Sequence, residues 1–395
     1  VRKFGSQSEV ELKKLDALTS LRFFAAVTIV AEHSHAAFKS LSWFGNLPFD
    51  YGVSFFFVLS GFILAFVYRE FDSLGSLRDF YAARIARIWP LHLVTLLLFL
   101  AIIPSGSWFV GGHGADAVKV TLANVFLLQS WIPWSRYFFS FNAVSWSIST
   151  EMLFYLMFPL LRHRWSETWH WKSMTVAIMI GGILTIATSR GVPGIDSTGP
   201  YAASSDGIAY IWPFVRIGEF VLGMLAGSIF VATQRRGGQS VILWTTMEIA
   251  ALASIWLLRN ITFGLEGRIA GHPLGLTAWT VYFAHSGAAA GFALVALVMA
   301  FGRGAISRAL SIKPLVLLGE ASFALYLVHQ ILITFYYLNL PHFAGIPDLA
   351  LCVSYWALSI GAAFALWAFI EKPARDWIRH LLSRERKTEA ATAMQ

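Results

Sequence analysis

Arg22 and His33 stand eleven residues apart inside an apolar run from Leu18 to Phe38. On a helix that is about three turns, so the two side chains share a face and lie about 16 Å apart along the axis. An anionic head group held at Arg22 on a long arm would carry a reactive group to His33. The plainer role is a snorkelling arginine and a histidine bonded to a neighbouring helix. Arg84 and Arg87 are three apart. On a helix their guanidinium groups point the same way, a geometry suited to phosphate oxygens, while basic residues beside a span also serve topology. Ser147, Glu151 and Tyr155 follow Trp146 at four-residue steps and make a polar stripe. Glu151 then falls near mid-membrane and needs an arginine, a histidine or a ligand, a structural ion pair being the alternative. Trp146 suits the outer interface. Arg216 and Glu219, three apart, read as an intrahelical pair. Ser322, Tyr326 and His329 share a face, with Glu320 and Gln330 nearby, and His329 suits the bundle interior better than lipid. Asp50 reads as a solvated cap at the outer edge of its span. No metal set is evident, because His33 and His35 project apart on a helix and Cys352 is the sole cysteine.

The elements that must hold these groups follow from composition. The chain has 395 residues, 57% hydrophobic and 13% charged, against about 45–50% and about 25% in a soluble domain. Apolar stretches of about twenty residues recur along it, each long enough to cross the hydrocarbon core. They lie near 18–38, 49–69, 88–106, 143–163, 171–190, 208–234, 241–259, 278–301, 315–338 and 349–371. The first reads as a retained functional helix rather than a signal peptide, since it carries Arg22, Glu32, His33 and His35. Residues 115–134 are apolar but broken by Lys119, Asn124, Gln129 and Pro133. If this segment does not span, then Arg69, Arg78, Arg84, Arg87, the Arg162–Arg164 cluster, Arg235, Arg236, Arg303, Arg308 and Lys313 fall on one side, as the lysine and arginine bias of cytoplasmic loops requires. The expected fold is therefore all-α: a polytopic integral membrane helical bundle of about ten transmembrane helices, with a re-entrant or interfacial element near 115–134. Both termini are placed in the cytoplasm. Residues 1–380 read as a single membrane-embedded domain and 381–395 as a polar cytoplasmic tail. The net charge of +8 marks the inner membrane face rather than a nucleic-acid partner.

Seven motifs in order on these spans resemble the membrane acyltransferase family 3. They are Leu15–Asp16–Ala17–Leu18–Thr19–Ser20–Leu21–Arg22 with His33, Gly52 to Phe62, Arg84–Ile85–Ala86–Arg87–Ile88–Trp89–Pro90, Trp146–Ser147–Ile148–Ser149–Thr150–Glu151, Arg216 to Gly223, Ser322 to Gln330, and Glu371–Lys372–Pro373–Ala374–Arg375. The resemblance covers roughly 15–380. Many members with extracellular acceptors carry an additional hydrolase-like domain, of which these residues contain no counterpart. Glu32 beside His33 departs from the mostly apolar or aromatic residues the family has there; it would raise the His33 pKa or reach another helix.

The resemblance implies transfer of an acyl group, acetyl by default, from cytoplasmic acyl-CoA to a hydroxyl of a cell-surface or exported polysaccharide or other glycan. A small molecule or a lipid-linked saccharide is the alternative acceptor. On this expectation Arg84 and Arg87 bind the CoA head group, with Arg22 assisting. His33 acts as general base or itself accepts the acyl group, and Glu151 orients or polarises the site. Asp16, Asp50, Ser147, Arg216, Glu219, Tyr326 and His329 are expected in supporting or substrate-binding roles. The partners are acyl-CoA, the glycan acceptor and membrane lipid, with no permanently bound cofactor. A proton-coupled transporter or exporter is the reading from another class, since a proton relay uses the same residue types.

Overall fold

The computed structural model describes residues 15–46, 51–234, 240–270, 277–378 and 380–381. Its helices are α1 (Asp16–Ser34), α2 (Gly52–Val67), α3 (Leu74–Ile102), α4 (Ala117–Val125), α5 (Ser135–Phe138), α6 (Trp146–Arg162) and α7 (Trp165–Ser189). They continue as α8 (Pro213–Thr233), α9 (Val241–Ala270), α10 (Thr277–Ser286), α11 (Ala289–Ala300), α12 (Ala305–Leu310), α13 (Lys313–Asn339) and α14 (Asp348–Leu366). Among the described residues, eight segments are long and apolar enough to cross a membrane, α10 and α11 counting together as one. With them pack α2, of 16 residues, and α1, whose 19 residues include Asp16, Arg22 and Glu32. The polytopic helical bundle expected from the sequence is thus the fold.

Two pairs of parallel helices form its centre, and both depend on glycine. A Cβ at Gly61 would lie 1.9 Å from the Phe220 carbonyl oxygen, and one at Gly223 1.9 Å from that of Val58. Between α1 and α13, a Cβ at Gly319 would lie 1.9 Å from the Thr19 carbonyl oxygen. Backbones touch at these points, as small residues permit within membranes. The α1–α13 contact aligns the two helices so that His33 meets His329 further along.

Contacts between helix ends define two faces. Arg162 Nε, at the end of α6, donates to the Tyr68 carbonyl after α2 at 2.9 Å. Ser20 Oγ, near the start of α1, donates to the Leu310 carbonyl before α13 at 2.5 Å. Arg69, Arg162 and Arg308 thereby gather at one face. At the other, the backbone N–H groups of Lys39 and Ser40 donate to Asp348 at 2.9 and 2.7 Å.

The segment near 115–134 is re-entrant. Its helix, α4, has nine residues. Trp89 Nε1 donates to the Val125 carbonyl at 2.8 Å, and Trp89 lies thirteen residues, about 20 Å of helix, before the end of α3. Buried side chains satisfy the irregular backbone at that depth. Gln129 Nε2 donates to the Ser145 carbonyl at 3.1 Å, and Ser149 Oγ to that of Leu127 at 2.7 Å. Non-helical backbone is tolerated in a membrane only where protein or a cavity covers it. Leu127 and Phe141 take left-handed φ of 56° and 59° to make the turns.

One expectation needs correction, and one helix is longer than its apolar run. Trp146 is not at an interface: it is 3% exposed, its ring 6.2 Å from Phe57 and 4.9 Å from Tyr210. The re-entrant segment occupies the space above α6, so that helix begins inside the protein. The helix that carries the third span begins well before the apolar run near 88. A capping box at Ser73 and Ser76 starts α3 at Leu74, and Arg84 and Arg87 ride on one continuous helix. Two other spans are broken. A π-helical turn, Gly207–Ile211, precedes α8, whose Pro213 holds Trp212 extended. Gly287 separates α10 from α11, where a Cβ would lie 2.5 Å from Thr262 Cγ2.

The loops that follow α3 are stapled by Arg136, which is fully buried. Its Nη2 meets Asp116 Oδ1 at 2.8 Å, and its Nη1 donates to the carbonyls of Val110 and Gly112. The hydrogen bond from Arg136 holds the Asp116 carboxyl below the ordinary carboxylate range. A lowered folded value means that the pair stabilises fully above the ordinary carboxylate pKa and loses this as pH falls through the lower one.

Two outcomes follow for stability. Gly223→Ala should lower the thermal midpoint in detergent by several degrees, overpacking costing roughly 1–3 kcal/mol. Gly361→Ala, which meets nothing within 4 Å, should not; equal midpoints would refute the close contact. Hydrogen exchange across 109–116, taken relative to its intrinsic rate at each pH, should quicken as pH falls below the ordinary carboxylate range. In Asp116→Asn it should already be fast at pH 7, and exchange unchanged in that variant would show that the ion pair does not hold the loop.

Candidate active site

One cavity of about 240 Å³ lies among α1, α2, α3, α6 and α13. Its wall carries Arg22 from α1, Arg84 and Arg87 from α3, Ser147 and Glu151 from α6, and Tyr326 from α13. Six residues singled out in the sequence are therefore brought together from four helices. Between them the wall is apolar, with Val53, Phe56, Phe57 and Phe323.

Glu151 is held rather than left free. Ser60 Oγ donates to its Oε1 at 2.7 Å, and the Tyr155 hydroxyl, one turn on, donates to the same oxygen at 2.6 Å. The sequence placed Tyr155 on the polar stripe but gave Ser60 no role. The Leu59–Ser60–Gly61 step, a hydroxyl beside a close-packing glycine, was the available signal. Arg84 sits among aromatic rings, its guanidinium carbon 5.8 Å from the Tyr68 centroid, 5.9 Å from Phe80 and 5.7 Å from Tyr155. Arg84 Nε is buried with no hydrogen-bond partner, a state that costs about 1–3 kcal/mol until an acceptor arrives. Glu371 is a further member that the sequence placed in a motif without a role. It ends the π-helical turn Trp367–Glu371, is 2% exposed, and interacts electrostatically with Arg87, Arg22 and Arg375. Three guanidinium groups on one wall still exceed the carboxylates beside them, so the cavity is set up for an anion. Its apolar stretch suits an uncharged arm.

His33 does not line this cavity. Its Nδ1 lies 3.0 Å from Nε2 of His329, with ring centroids 5.2 Å apart and planes at 22°. Tyr326 links the histidine pair to the cavity. Its ring is 5.8 Å from that of His329, and its hydroxyl donates to the Val144 carbonyl at 3.0 Å, with Ser147 Oγ at 2.8 Å. Arg22 and His33 do occupy opposite stretches of α1, as their spacing requires, but the Tyr326 side chain stands between the arginine cavity and the histidines.

Other sequence candidates lie elsewhere. Arg216 and Glu219 form the expected pair, Nε to Oε2 3.2 Å, both buried. Arg216 also donates to Ser286 Oγ at 2.9 Å and Ser54 Oγ at 3.2 Å. This cluster ties α8 to α2 and α10 outside the cavity. Asp16 is half-buried in the first turn of α1, where a carboxylate suits the helix dipole, and is also off the cavity wall. Asp50 lies outside the described residues.

The chain is similar to known proteins along most of its length. A family model described as an acyltransferase domain matches residues 15–371. The acyltransferase MdmB of Streptomyces mycarofaciens is 32% identical over 345 residues, covering 82% of this chain and 80% of that protein. The O-acetyltransferase OatA of Staphylococcus aureus (strain NCTC 8325 / PS 47) is 22% identical over 390 residues. That match covers 91% of this chain and 57% of OatA. No solved structure matches. A multi-pass helical bundle that matches the acyltransferase model along nearly its whole length, this chain belongs to the membrane acyltransferase family 3.

Proposed function

We propose that the protein takes an acyl group, acetyl by default, from acyl-CoA at the cytoplasmic face and places it on a hydroxyl of a cell-surface or exported polysaccharide or other glycan. The observation that carries this reading is the convergence of Arg22, Arg84 and Arg87 on one cavity with an apolar continuation. Arg84 and Arg87 take the anionic head group and Arg22 the pyrophosphate or the start of the arm. The arm runs past Phe56 and Phe57 towards Tyr326, and the thioester meets His33 once the Tyr326 side chain gives way. OatA is an O-acetyltransferase by name, which supports both the acetyl group and the hydroxyl acceptor.

His33 then removes the hydroxyl proton. The oxygen electron pair forms the new C–O bond at the thioester carbonyl, the C–S bond breaks, and its electron pair leaves on sulfur. The proton passes from His33 to that sulfur, releasing CoA as a thiol. Glu151, fixed by Ser60 and Tyr155, balances the arginines and orients groups at the inner end of the path. A thioester is more reactive than an ester, so no ATP is consumed.

The basic residues gathered at one face support the plasma (inner) membrane as location, with both termini cytoplasmic. Mass spectrometry of surface glycans from cells with and without the protein decides the acceptor. An unchanged acyl inventory redirects the reading to a small molecule or a lipid-linked saccharide.

His33→Ala should lower turnover by roughly 10²–10⁴-fold while folded protein remains in the membrane; retained turnover would remove His33 from the chemistry. Arg84→Ala and Arg87→Ala should each raise the KM for acyl-CoA by roughly tenfold or more, as loss of a charge-assisted hydrogen bond predicts. In liposomes, free CoA thiol should appear only on the arginine side. Unaltered KM in the double variant would refute the head-group site.

A further inference from the structure

The hydrogen bonds around His329 determine which nitrogen of His33 is basic. We propose that His329 is a positioning residue that holds His33 as the Nδ1–H tautomer, leaving His33 Nε2 as the atom that accepts the proton. This rests on the reading of His33 as general base.

His329 is fully buried on α13. Its Nδ1 lies 3.2 Å from the carbonyl oxygen of Leu325, one turn earlier on the same helix. A carbonyl only accepts, so this nitrogen carries the hydrogen. In the uncharged ring the other nitrogen, Nε2, then has a lone pair and no hydrogen. That Nε2 is the atom 3.0 Å from His33 Nδ1, so His33 must donate. With its hydrogen on Nδ1, uncharged His33 has none on Nε2. The side chain of Gln330 is the other hydrogen-bonding neighbour of His33.

The backbone thus sets the tautomer of a ring two hydrogen bonds away. Both nitrogens of His329 are used, one on Leu325 and one on His33, and its ring is closed off from solvent, whereas His33 is only half-buried. During transfer the hydroxyl proton reaches His33 Nε2 and moves on to the leaving sulfur. The Nδ1 hydrogen of His33 stays on His33, directed at His329 Nε2, throughout, and the His329 lone pair faces the imidazolium while it exists. An uncharged acceptor does here what a carboxylate does for the histidine of a hydrolase triad: it fixes tautomer and ring orientation without taking the proton.

The test uses the full-length chain purified in detergent, with acetyl-CoA as donor and polysaccharide extracted from the producing cells as acceptor. His329→Phe keeps a ring but offers no lone pair, and kcat should fall by about 10²-fold with the KM for acetyl-CoA unchanged. His329→Gln can present a side-chain oxygen to the same N–H and should recover to within about tenfold of the parent. Nitrogen NMR of histidine-labelled protein, with the His33 signals assigned by their loss in His33→Ala, should show hydrogen on Nδ1 in the parent and in His329→Gln. In His329→Phe it should move towards Nε2, the tautomer that free histidine favours. Parent-like kcat in His329→Phe, no recovery in His329→Gln, or hydrogen on His33 Nε2 in the parent spectrum would overturn the proposal. If His329→Phe does not fold, the parent spectrum and His329→Gln still decide. Turnover in His33→Ala would refute the general-base reading itself, whereas an inactive His33→Ala beside a fully active His329→Phe refutes only the role of His329.

Discussion

Charge cannot be left facing hydrocarbon, and the bundle is arranged around that constraint. A charged residue at the centre of a span costs roughly 2.5–3.5 kcal/mol on the insertion scale unless protein or water receives it. Arg22, Arg84, Arg87 and Glu151 meet this demand together, by sharing one cavity. Arg216 and Glu219 meet it separately, by pairing with each other and with serines of two neighbouring helices. The difference separates the two groups chemically. Each cluster keeps a buried guanidinium Nε without a hydrogen-bond partner, but the second ties helices together, whereas the first has space beside it.

Close backbone contact makes the shared cavity feasible. Gly61 and Gly223 bring α2 against α8, and Gly319 brings α13 against α1. With bulkier residues there the four helices would stand further apart, and the Ser60 hydroxyl would no longer reach Glu151 from α2. The same α1–α13 contact aligns His33 with His329. Packing and chemistry are therefore not separable along these helices: the register set by a glycine at one end decides which side chains meet at the other.

Much of this was legible in the sequence. Apolar length gave the spans, and the arginine and lysine bias identified 115–134 as an element that does not cross. Helical spacing placed Ser147, Glu151 and Tyr155 on one stripe and Arg84 beside Arg87. What stayed hidden depends on contacts between distant segments. Nothing local to His33 announces His329, which lies 296 residues away. Trp146 looks interfacial until the re-entrant segment is seen to cover it. The breaks at Gly207–Ile211 and Gly287 lie inside apolar runs whose hydropathy is continuous, and hydropathy is blind to them. Helical spacing puts Tyr326 on one face with Ser322 and His329, but its reach from the cavity wall to His329 depends on how the helices pack.

The irregular backbone is unevenly distributed across the membrane. The re-entrant turn, the π-helical turn before α8 and the gap between α10 and α11 all lie towards the histidine end, while α3 and α6 run unbroken through the arginine end, where the π-helical turn at Glu371 is the exception. Regions held by side-chain bonds to irregular backbone open at lower free energy than continuous packed helices. Backbone irregularity is therefore graded along the bundle, greatest on the histidine side. On the function proposed above, a scaffold built this way can keep its arginine end constant for a common donor while the other is reshaped, by substitution in a few turns, for whatever is to be modified.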